Sequence, residues 1–264
     1  MTAEAHSYFA IFFYMASTTT QWLRMRGAAL PKLLVQILTL AGTATQFFSI
    51  HDLICTTEGF NLSFSTVGSL STWMVILIVL VSSLRKPVEN LLVILLPMGS
   101  VAIISSAFFH IPVSLLKNSQ PGMLGHVVIS VLAYSTLTVA AVQALLLAYQ
   151  EHHLKRHAPI GLAKAFPPMQ TMERLLFEFV GTGLCLLTLA LASGFIYLHD
   201  MFEQNVVHKT LLGITAWILF AVLFIGRVKH GWRGRTAIVW TLSGFVALML
   251  AYFGSKIVID LILN

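Results

Sequence analysis

The chain has 264 residues, of which 57% are apolar and only 10% are charged, and its mean hydropathy is +0.85. These values exclude an ordinary water-soluble globule, in which about a quarter of the residues are charged. The net charge of +6 does not indicate nucleic-acid binding, because the cations lie in short segments beside apolar runs, where anionic lipid headgroups account for them. We therefore predict a protein of the lipid bilayer with no nucleic-acid partner.

Eight apolar stretches are long enough to cross a bilayer as helices, since about 20 residues span a hydrocarbon layer of ~30 Å. The stretches are continuously apolar, whereas the strands of a membrane barrel alternate over about ten residues. The predicted fold class is all-α, a polytopic membrane bundle of about eight transmembrane helices. In chain order the predicted spans are His6–Leu23, Leu33–His51, Ser63–Ser83, Leu91–Phe109, Met123–Tyr149, Leu175–Leu198, Lys209–Phe224 and Thr236–Ile259.

Positive charge alternates between the gaps. Thirteen of the sixteen Lys and Arg residues lie in four short segments, and every second gap is nearly free of them. By the positive-inside rule the basic gaps face the cytoplasm, so both termini and the gaps 52–62, 110–122 and 199–208 are predicted to lie outside. The first span has no basic segment before it and no convincing cleavage site, so we expect a retained helix and not a signal peptide. The basic gaps contain Arg24, Arg26 and Lys32; Arg85 and Lys86; Lys155, Arg156, Lys164 and Arg174; and Arg227, Lys229, Arg233 and Arg235.

No separate soluble domain is predicted. The longest hydrophilic stretch, Gln150–Glu173, is too short to bury a core of its own. We therefore expect residues 1–264 to form a single integral membrane domain.

Histidine is abundant for so apolar a chain, with ten residues. Four lie in basic gaps, where solvation or headgroup contact explains them, and six lie at the predicted outer ends of spans. There an imidazole can ligate haem iron, transfer protons or simply lie at the wet interface, which is the simplest role for each one alone. The basic-gap group is His152, His153, His157 and His230, and the outer group is His6, His51, His110, His126, His199 and His208.

One outer histidine lies inside its span and shares a face with other polar residues. His126, Ser130, Tyr134 and Thr138 recur every four residues along an otherwise apolar helix. Such a stripe is expected to face protein or a cavity and not lipid. Two interpretations stay open, namely that His126 is a ligand or that the stripe hydrogen-bonds across helices as packing.

His208 opens the seventh predicted span from the same side and is followed by Lys209 and, further along, Trp217. Two axial ligands from two helices, His126 and His208, would fit a flat porphyrin between them, and Lys209 would suit a haem propionate. The alternative is that Lys209 extends to the headgroups as helix-end lysines do and that Trp217 only packs within the bundle.

Signatures of hydrolases and kinases are absent from the sequence, which has no GxSxG, P-loop or HExxH segment. Glu178 is the only acidic residue predicted within the membrane, and from four residues inside its span it can reach the headgroups. A proton-coupled carrier with paired intramembrane carboxylates is therefore not indicated.

Four segments resemble the cytochrome c assembly family of membrane proteins, which includes the CcsA/ResC, CcmC and HemX groups. The segment from His126 through Tyr134 to Lys155 is similar to a conserved helix of the family, and Met172–Leu175, leading on to Gly194, resembles the helix that follows. The turn Gly231-Trp232-Arg233-Gly234-Arg235 matches the family's cytoplasmic GWRGR turn, and Ala251–Gly254 its terminal helix. The resemblance covers about residues 120–257.

The resemblance implies haem handling in the bacterial cytoplasmic (inner) membrane, because family members carry haem across that membrane or present it outside for attachment to apocytochromes c. It implies a b-type haem with His126 as one ligand near the outer face. The sequence departs from the family in two places. The WWD segment is replaced by Asp200–Thr210, where Lys209, and Trp217 beyond it, keep their places, and the second outer histidine after the last span is missing.

These departures favour an accessory haem-handling protein that works with a membrane-protein partner. Because the loss of WWD and of a ligand argues against haem ligation, we expect no enzyme. The alternatives are a HemX-like accessory or regulatory subunit without haem, and a small-molecule transporter, for which no convincing internal repeat is visible. The turn Gly231–Arg235 is a candidate cytoplasmic docking site for the partner. Its alternative role is a tight glycine turn anchored at the headgroups by Trp232 and the arginines.

Overall fold

The computed structural model describes residues 3–56, 59–61, 63–108, 115–116, 121–155, 166–197 and 204–254. Eight α-helices form these ranges together with three very short strands, so the predicted all-α bundle is confirmed. The helices are α1 (Ala3–Met25), α2 (Lys32–Ile54), α3 (Phe64–Ser83), α4 (Leu92–Phe108), α5 (Pro121–Lys155), α6 (Met169–Tyr197), α7 (Gln204–His230) and α8 (Gly234–Met249). A 3₁₀-helix, Glu89–Leu91, precedes α4, and a π-helix, Leu250–Gly254, continues α8.

Among the described residues, seven helices are long and apolar enough to cross a membrane, one fewer than the eight predicted. The remaining helix, α1, has 23 residues but carries the polar run Ser17-Thr18-Thr19-Thr20-Gln21. The strands β1 (Cys55–Thr56), β2 (Gly59–Asn61) and β3 (Leu115–Leu116) pair antiparallel in that order.

Two helices extend further than the hydropathy of the sequence indicates. α5 has 35 residues and continues past Tyr149 to Lys155, because Gln, Glu and Lys are good helix formers that need no apolar surroundings. α7 begins at Gln204, so its first turn includes residues that were predicted to lie in the outer gap 199–208. Both extensions carry polar residues, which a hydropathy criterion excludes from a span.

The chain divides into two compact units. The first comprises Met1–Ser119 and Pro159–Pro167 and contains α1 to α4, and the second comprises Gln120–Ala158 and Pro168–Asn264 and contains α5 to α8. The single domain expected from the sequence stays a prediction.

In the first unit, α1 and α3 each pack against both α2 and α4. Tyr14 of α1 is fully buried, and its ring lies so close to Gly42 of α2 that a Cβ added there would be 2.5 Å from it. The Tyr14 hydroxyl donates to Gln46 Oε1 at 2.5 Å, and Gln46 Nε2 donates to the Ser69 carbonyl oxygen at 3.2 Å. This core is therefore held by hydrogen bonds between helices as well as by apolar packing.

In the second unit, α5 and α7 each pack against both α6 and α8. Two glycines permit close approach of helices: a Cβ at Gly183 of α6 would lie 2.5 Å from the Leu137 side chain of α5, and one at Gly244 of α8 would lie 3.0 Å from the Phe220 ring of α7. The polar stripe predicted from the sequence lies on α5, within this second bundle.

Candidate functional site

The polar stripe occupies the first half of α5, which begins at Pro121, where the missing proline N–H leaves no hydrogen bond unmade. His126 hydrogen-bonds to α6, and Tyr134 hydrogen-bonds to α8. Since α6 and α8 are the two neighbours of α5 in the second unit, a stripe that contacts both lies on the side of α5 that faces protein. The sequence-based expectation for its orientation agrees with these contacts.

His126 is half-buried, and its two ring nitrogens have different surroundings. Nδ1 lies 3.0 Å from Ser193 Oγ of α6, and Ser193 Oγ itself donates to the carbonyl oxygen of Ala190 at 2.9 Å. Nε2 lies 3.5 Å from Ser130 Oγ, which is at the long limit of a hydrogen bond. Nδ1 is therefore the firmly held nitrogen, and Nε2 is the nitrogen with the weaker contact.

Tyr134 connects the stripe to α8 and to the π-helix that continues it. Its hydroxyl donates to Met249 Sδ, and its ring centroid lies 5.4 Å from that of Tyr252 and 6.1 Å from that of Phe245. Tyr252 belongs to the π-helix, a rare conformation that is frequent at functional sites. Thr138 donates to the Tyr134 carbonyl of its own helix at 2.8 Å.

Trp217 of α7 is also attached to α6, but at another place. Its Nε1 donates to Thr188 Oγ1 at 2.9 Å. Thr188 and Ser193 are five residues apart, which places them roughly 140° apart around a helix of 3.6 residues per turn. The indole of Trp217 and the imidazole of His126 thus meet different faces of α6.

The other predicted site residues are only partly described. Lys209 is exposed near the start of α7, and the backbone of His208 precedes it in the same helix. The side chain of His208 lies outside the described part of the structure, as do the whole of His110 and His199. The proposed pairing of His126 with His208 therefore stays a prediction.

The remaining outer histidines belong to the first unit and share one carboxylate. His6 Nδ1 lies 3.2 Å from Asp52 Oδ2, and His51 Nδ1 lies 3.6 Å from Asp52 Oδ1. Across the described ranges no group of three or more His, Cys, Asp and Glu side chains is placed to hold a metal ion.

The turn between α7 and α8 is held in place by α6. Gly231 and Gly234 have φ values of +66° and +54°, which only glycine adopts without strain. The Gly234 N–H donates to Glu173 Oε1 of α6 at 2.7 Å, and the indole of Trp232 packs on Gly226. The backbone of the turn is thus anchored.

Two charged side chains of this turn, Arg233 and Arg235, are exposed. No helix-capping hydrogen bond is made by the side chain of Arg233, the N-cap residue of α8. Glu173 therefore supplies the anion that the positive end of α8 favours, and it does so from another helix.

Sequence reasoning did not identify several residues that contact the site residues. Ser193, Met249 and Phe245 carry no motif, and Tyr252 was noted only as part of a family-like segment. A lone serine beside Gly194 in an apolar span was the one available signal for Ser193, since such residues occur where helices approach closely.

These features define a polytopic helical membrane protein with an imidazole on the protein-facing side of one helix. The family model for Cytochrome C assembly protein matches residues 33–263. The chain is 35% identical to Inner membrane protein YpjD of Escherichia coli (strain K12) over 205 residues, which is 78% of each chain. It is 30% identical over 196 residues, 72% of each chain, to an uncharacterized 28.8 kDa protein of Azospirillum brasilense.

A more distant relative is Cytochrome c biogenesis protein CcsA of Guillardia theta, which is 24% identical over 149 residues, half of each chain. No solved structure matches. The chain belongs to the cytochrome c assembly family, as its motifs predicted. It is a multi-pass protein of the bacterial inner membrane.

Proposed function

We propose that this protein is an accessory haem-handling protein of the inner membrane that binds b-type haem through His126 and is not itself a haem ligase. One observation carries the proposal. His126 lies on the protein-facing side of α5 with Nδ1 held by Ser193 of α6, while the contact of Nε2 within the described residues is a long one, 3.5 Å to Ser130. A ligating histidine has this arrangement, because the nitrogen that does not bind the metal donates to a neighbouring group.

The aromatic residues further along the stripe from His126 suit a porphyrin by their chemistry. The rings of Tyr134, Tyr252 and Phe245 supply aromatic surface on the α8 side of the stripe. Bound haem would supply an iron that takes one or two axial protein ligands and changes its oxidation state. In this proposal His126 holds the iron and Ser130 and Tyr134 border the haem.

The residues of α7 have secondary roles in the proposal. Lys209 is exposed near the predicted outer end of the bundle, where its ammonium suits a propionate. His208, one position earlier, is proposed as the second axial ligand. Trp217 is proposed to contribute to the site only at a distance, since its indole N–H is bound to Thr188 on another face of α6 than the one that His126 contacts.

An accessory role is supported by what replaces the tryptophan-rich segment of the haem-presenting relatives. The segment Asp200–Thr210 contains no tryptophan. Tryptophan would supply the flat amphipathic surface that holds a haem edge at the membrane interface. We therefore assign binding or transfer of haem to this chain and leave the attachment step to a partner.

The test is a haemin titration of the detergent-purified protein, followed by its absorption spectrum. The proposal expects a Soret band of a b-type haem, which His126→Ala weakens or shifts. The matched control is His153→Ala, on the same helix but at its opposite end, where His153 Nδ1 lies 3.0 Å from the Tyr149 carbonyl oxygen. A colourless protein that takes up no haemin, or equal effects of the two variants, would refute the assignment.

A second candidate is an accessory subunit without haem, which one observation favours. The hydrogen bonds from His126 to Ser193 and from Tyr134 to Met249 each join two helices, as packing contacts do in membranes. In that case His126→Ala lowers the stability of the bundle and changes no spectrum.

We further propose that the turn Gly231–Arg235 docks a membrane-protein partner on the cytoplasmic side. The support is its fixed backbone and the exposed guanidinium groups of Arg233 and Arg235. Replacing both arginines by alanine is expected to abolish copurification of the partner while the haem spectrum is kept. The control is the corresponding change of Arg85 and Lys86, which lie in another basic gap.

A further inference from the structure

We infer that Ser193 of α6 is a positioning residue that fixes the protonation state of His126, keeping the proton on Nδ1 and the lone pair on Nε2. The tautomer is a property of the haem-free chain. Only its consequence, that Nε2 is the ligating nitrogen, rests on the proposed function.

The inference follows from counting protons on the Ser193 hydroxyl. A serine hydroxyl has one proton to donate and two lone pairs to accept with. Ser193 Oγ lies 2.9 Å from the carbonyl oxygen of Ala190, which can only accept, so the hydroxyl proton points there. The contact of 3.0 Å with His126 Nδ1 must then be a hydrogen bond in which the imidazole donates and Ser193 accepts.

The opposite tautomer has a definite penalty in this arrangement. With the proton on Nε2, Nδ1 would be an acceptor, and the Ser193 hydroxyl would have to leave Ala190 to donate to it. Otherwise two lone pairs would face each other at 3.0 Å. The Nδ1–H tautomer satisfies the contacts of Ser193 with His126 and with Ala190 at once, and the Ala190 backbone also interacts with the His126 ring.

The contacts of the second ring nitrogen are compatible with this assignment. Ser130 Oγ lies 3.5 Å from Nε2, so its hydroxyl is a weak donor to that lone pair at most. A metal or haem iron binds the unprotonated nitrogen of a neutral imidazole, and the hydrogen bond on the other nitrogen decides which one that is. Ser193 thereby also restrains the ring plane, because it joins the imidazole of α5 to the backbone of α6.

The first experiment measures the tautomer directly in the haem-free protein. Histidine ring nitrogens are labelled with ¹⁵N, and the His126 signals are identified by their loss in His126→Ala. The inference expects the proton on Nδ1 and an unprotonated Nε2 at a pH where the ring is neutral. A proton on Nε2 would overturn the inference.

The second experiment separates a positioning role from a merely structural one. Ser193→Ala is expected to mix the two tautomers of His126 and to weaken haem binding by about 10- to 100-fold, the usual effect of losing an outer-shell partner of a metal ligand. Ser193→Thr keeps the hydroxyl and is expected to restore a single tautomer and most of the affinity. The control is Thr182→Ala, also on α6, which removes an exposed hydroxyl that bonds the Glu178 carbonyl of its own helix.

The proposed function and the role of Ser193 can be refuted separately. If wild type shows the Nδ1–H tautomer but takes up no haem, the proposed function falls and the role of Ser193 in the tautomer stands. If wild type binds haem but Ser193→Ala and Thr182→Ala behave alike in spectrum and tautomer, the role of Ser193 falls and haem binding stands. Thermal unfolding of each variant shows whether a lost signal reflects a lost fold.

Discussion

The two units of this protein both contain polar residues on interior helix faces, but they use them differently. In the first unit the polar groups satisfy one another: Tyr14 donates to Gln46, Gln46 donates to Ser69, and the hydroxyls of Ser17 and Thr39 lie 2.8 Å apart. In the second unit His126 is held at one nitrogen by Ser193, and among the parts of the chain that the structure describes its other nitrogen has a 3.5 Å contact with Ser130. Interior polarity alone is therefore not the sign of a ligand site in this fold.

The difference has a physical basis in what each side chain can do after the helices have packed. A buried amide and a phenol hydroxyl that donate and accept in good geometry have little left to offer a ligand. An imidazole held at one nitrogen still presents a lone pair at the other, which is the group that iron takes up. Four predictions test this contrast between a packing network and a ligand site.

The largest expected effect comes from removing the proposed ligand in the second unit, in comparison with removing a packing residue in the first. His126→Ala should lower the affinity for haem by at least about 10-fold, with a small loss of stability because one half-buried hydrogen bond is removed. Gln46→Leu should leave the haem spectrum unchanged but destabilise the protein by about 1–3 kcal/mol, since the Tyr14 hydroxyl loses its acceptor. Haemin titration and denaturant unfolding are the two measurements. The contrast between the units fails if Gln46→Leu lowers haem affinity as much as His126→Ala does.

The next largest effect is expected where a Cβ is added at a close contact between two helices, and it should differ between two such contacts. A Cβ at Gly42 would lie 2.5 Å from the Tyr14 ring, and that ring is confined on its other side by Gly99, whose Cβ would lie 3.3 Å from it. Gly42→Ala is expected to cost about 1–3 kcal/mol, as overpacking does. Gly183→Ala brings a Cβ to 2.5 Å from Leu137 Cδ2 and 2.7 Å from its Cγ, but this aliphatic side chain is not held by a hydrogen bond as the Tyr14 ring is, and the change should cost less. Thermal unfolding of both variants decides the order, and a larger loss for Gly183→Ala would contradict it.

A smaller effect concerns the two tyrosine hydroxyls. Tyr14→Phe should destabilise the first unit by about 1 kcal/mol because Gln46 Oε1 loses its donor. Tyr134→Phe should cost less, since Tyr134 is half-buried whereas Tyr14 is fully buried, and the cost of losing a hydrogen bond is greater where water cannot replace it. Each variant is compared with wild type by denaturant unfolding. Equal losses would show that burial does not set the cost of removing these hydroxyls.

The smallest effect is expected at the turn before α8. Glu173→Ala removes the acceptor of the Gly234 N–H and the negative charge at the start of α8, for a loss of about 0.5–1 kcal/mol. The control is Glu178→Ala, which breaks an i,i+4 pair with Arg174, whose side chain is 81% exposed, and should change stability by less. Thermal unfolding with limited proteolysis at the turn provides the measurement. A larger loss for Glu178→Ala would argue against anchoring by Glu173.

Much of the architecture could be predicted because it depends on local properties. Hydropathy identified the helices, and all of the predicted spans fall on helices of the structure within a few residues where they are described. The ends of α5 and α7 were misjudged because polar helix formers extend a helix beyond its apolar part. The count of qualifying spans differed by one because α1 combines sufficient length with a polar run near its end.

The candidate site could be predicted only on its own helix. The four-residue spacing from His126 to Thr138 gave the polar face of α5, because helix geometry fixes which residues share a face. Lys209 and Trp217 were assigned to the same site from the predicted side of the seventh span and from the family resemblance, with packing as the alternative for Trp217. The structure attaches Trp217 to a different face of α6 through Thr188. Distances along one helix are fixed by its period, whereas the direction in which a neighbouring helix presents its side chains is not.

The amino-acid sequence by itself determined the class of protein, the family, the positions of the helices and the residues that share the polar face of α5. Only the tertiary structure decided what those residues meet: Ser193, 67 positions from His126, and Met249, 115 positions from Tyr134. The physical reason is that apolar length and helical period act within one segment. The partner of a buried donor is chosen when separate helices pack and every polar group between them has to be satisfied.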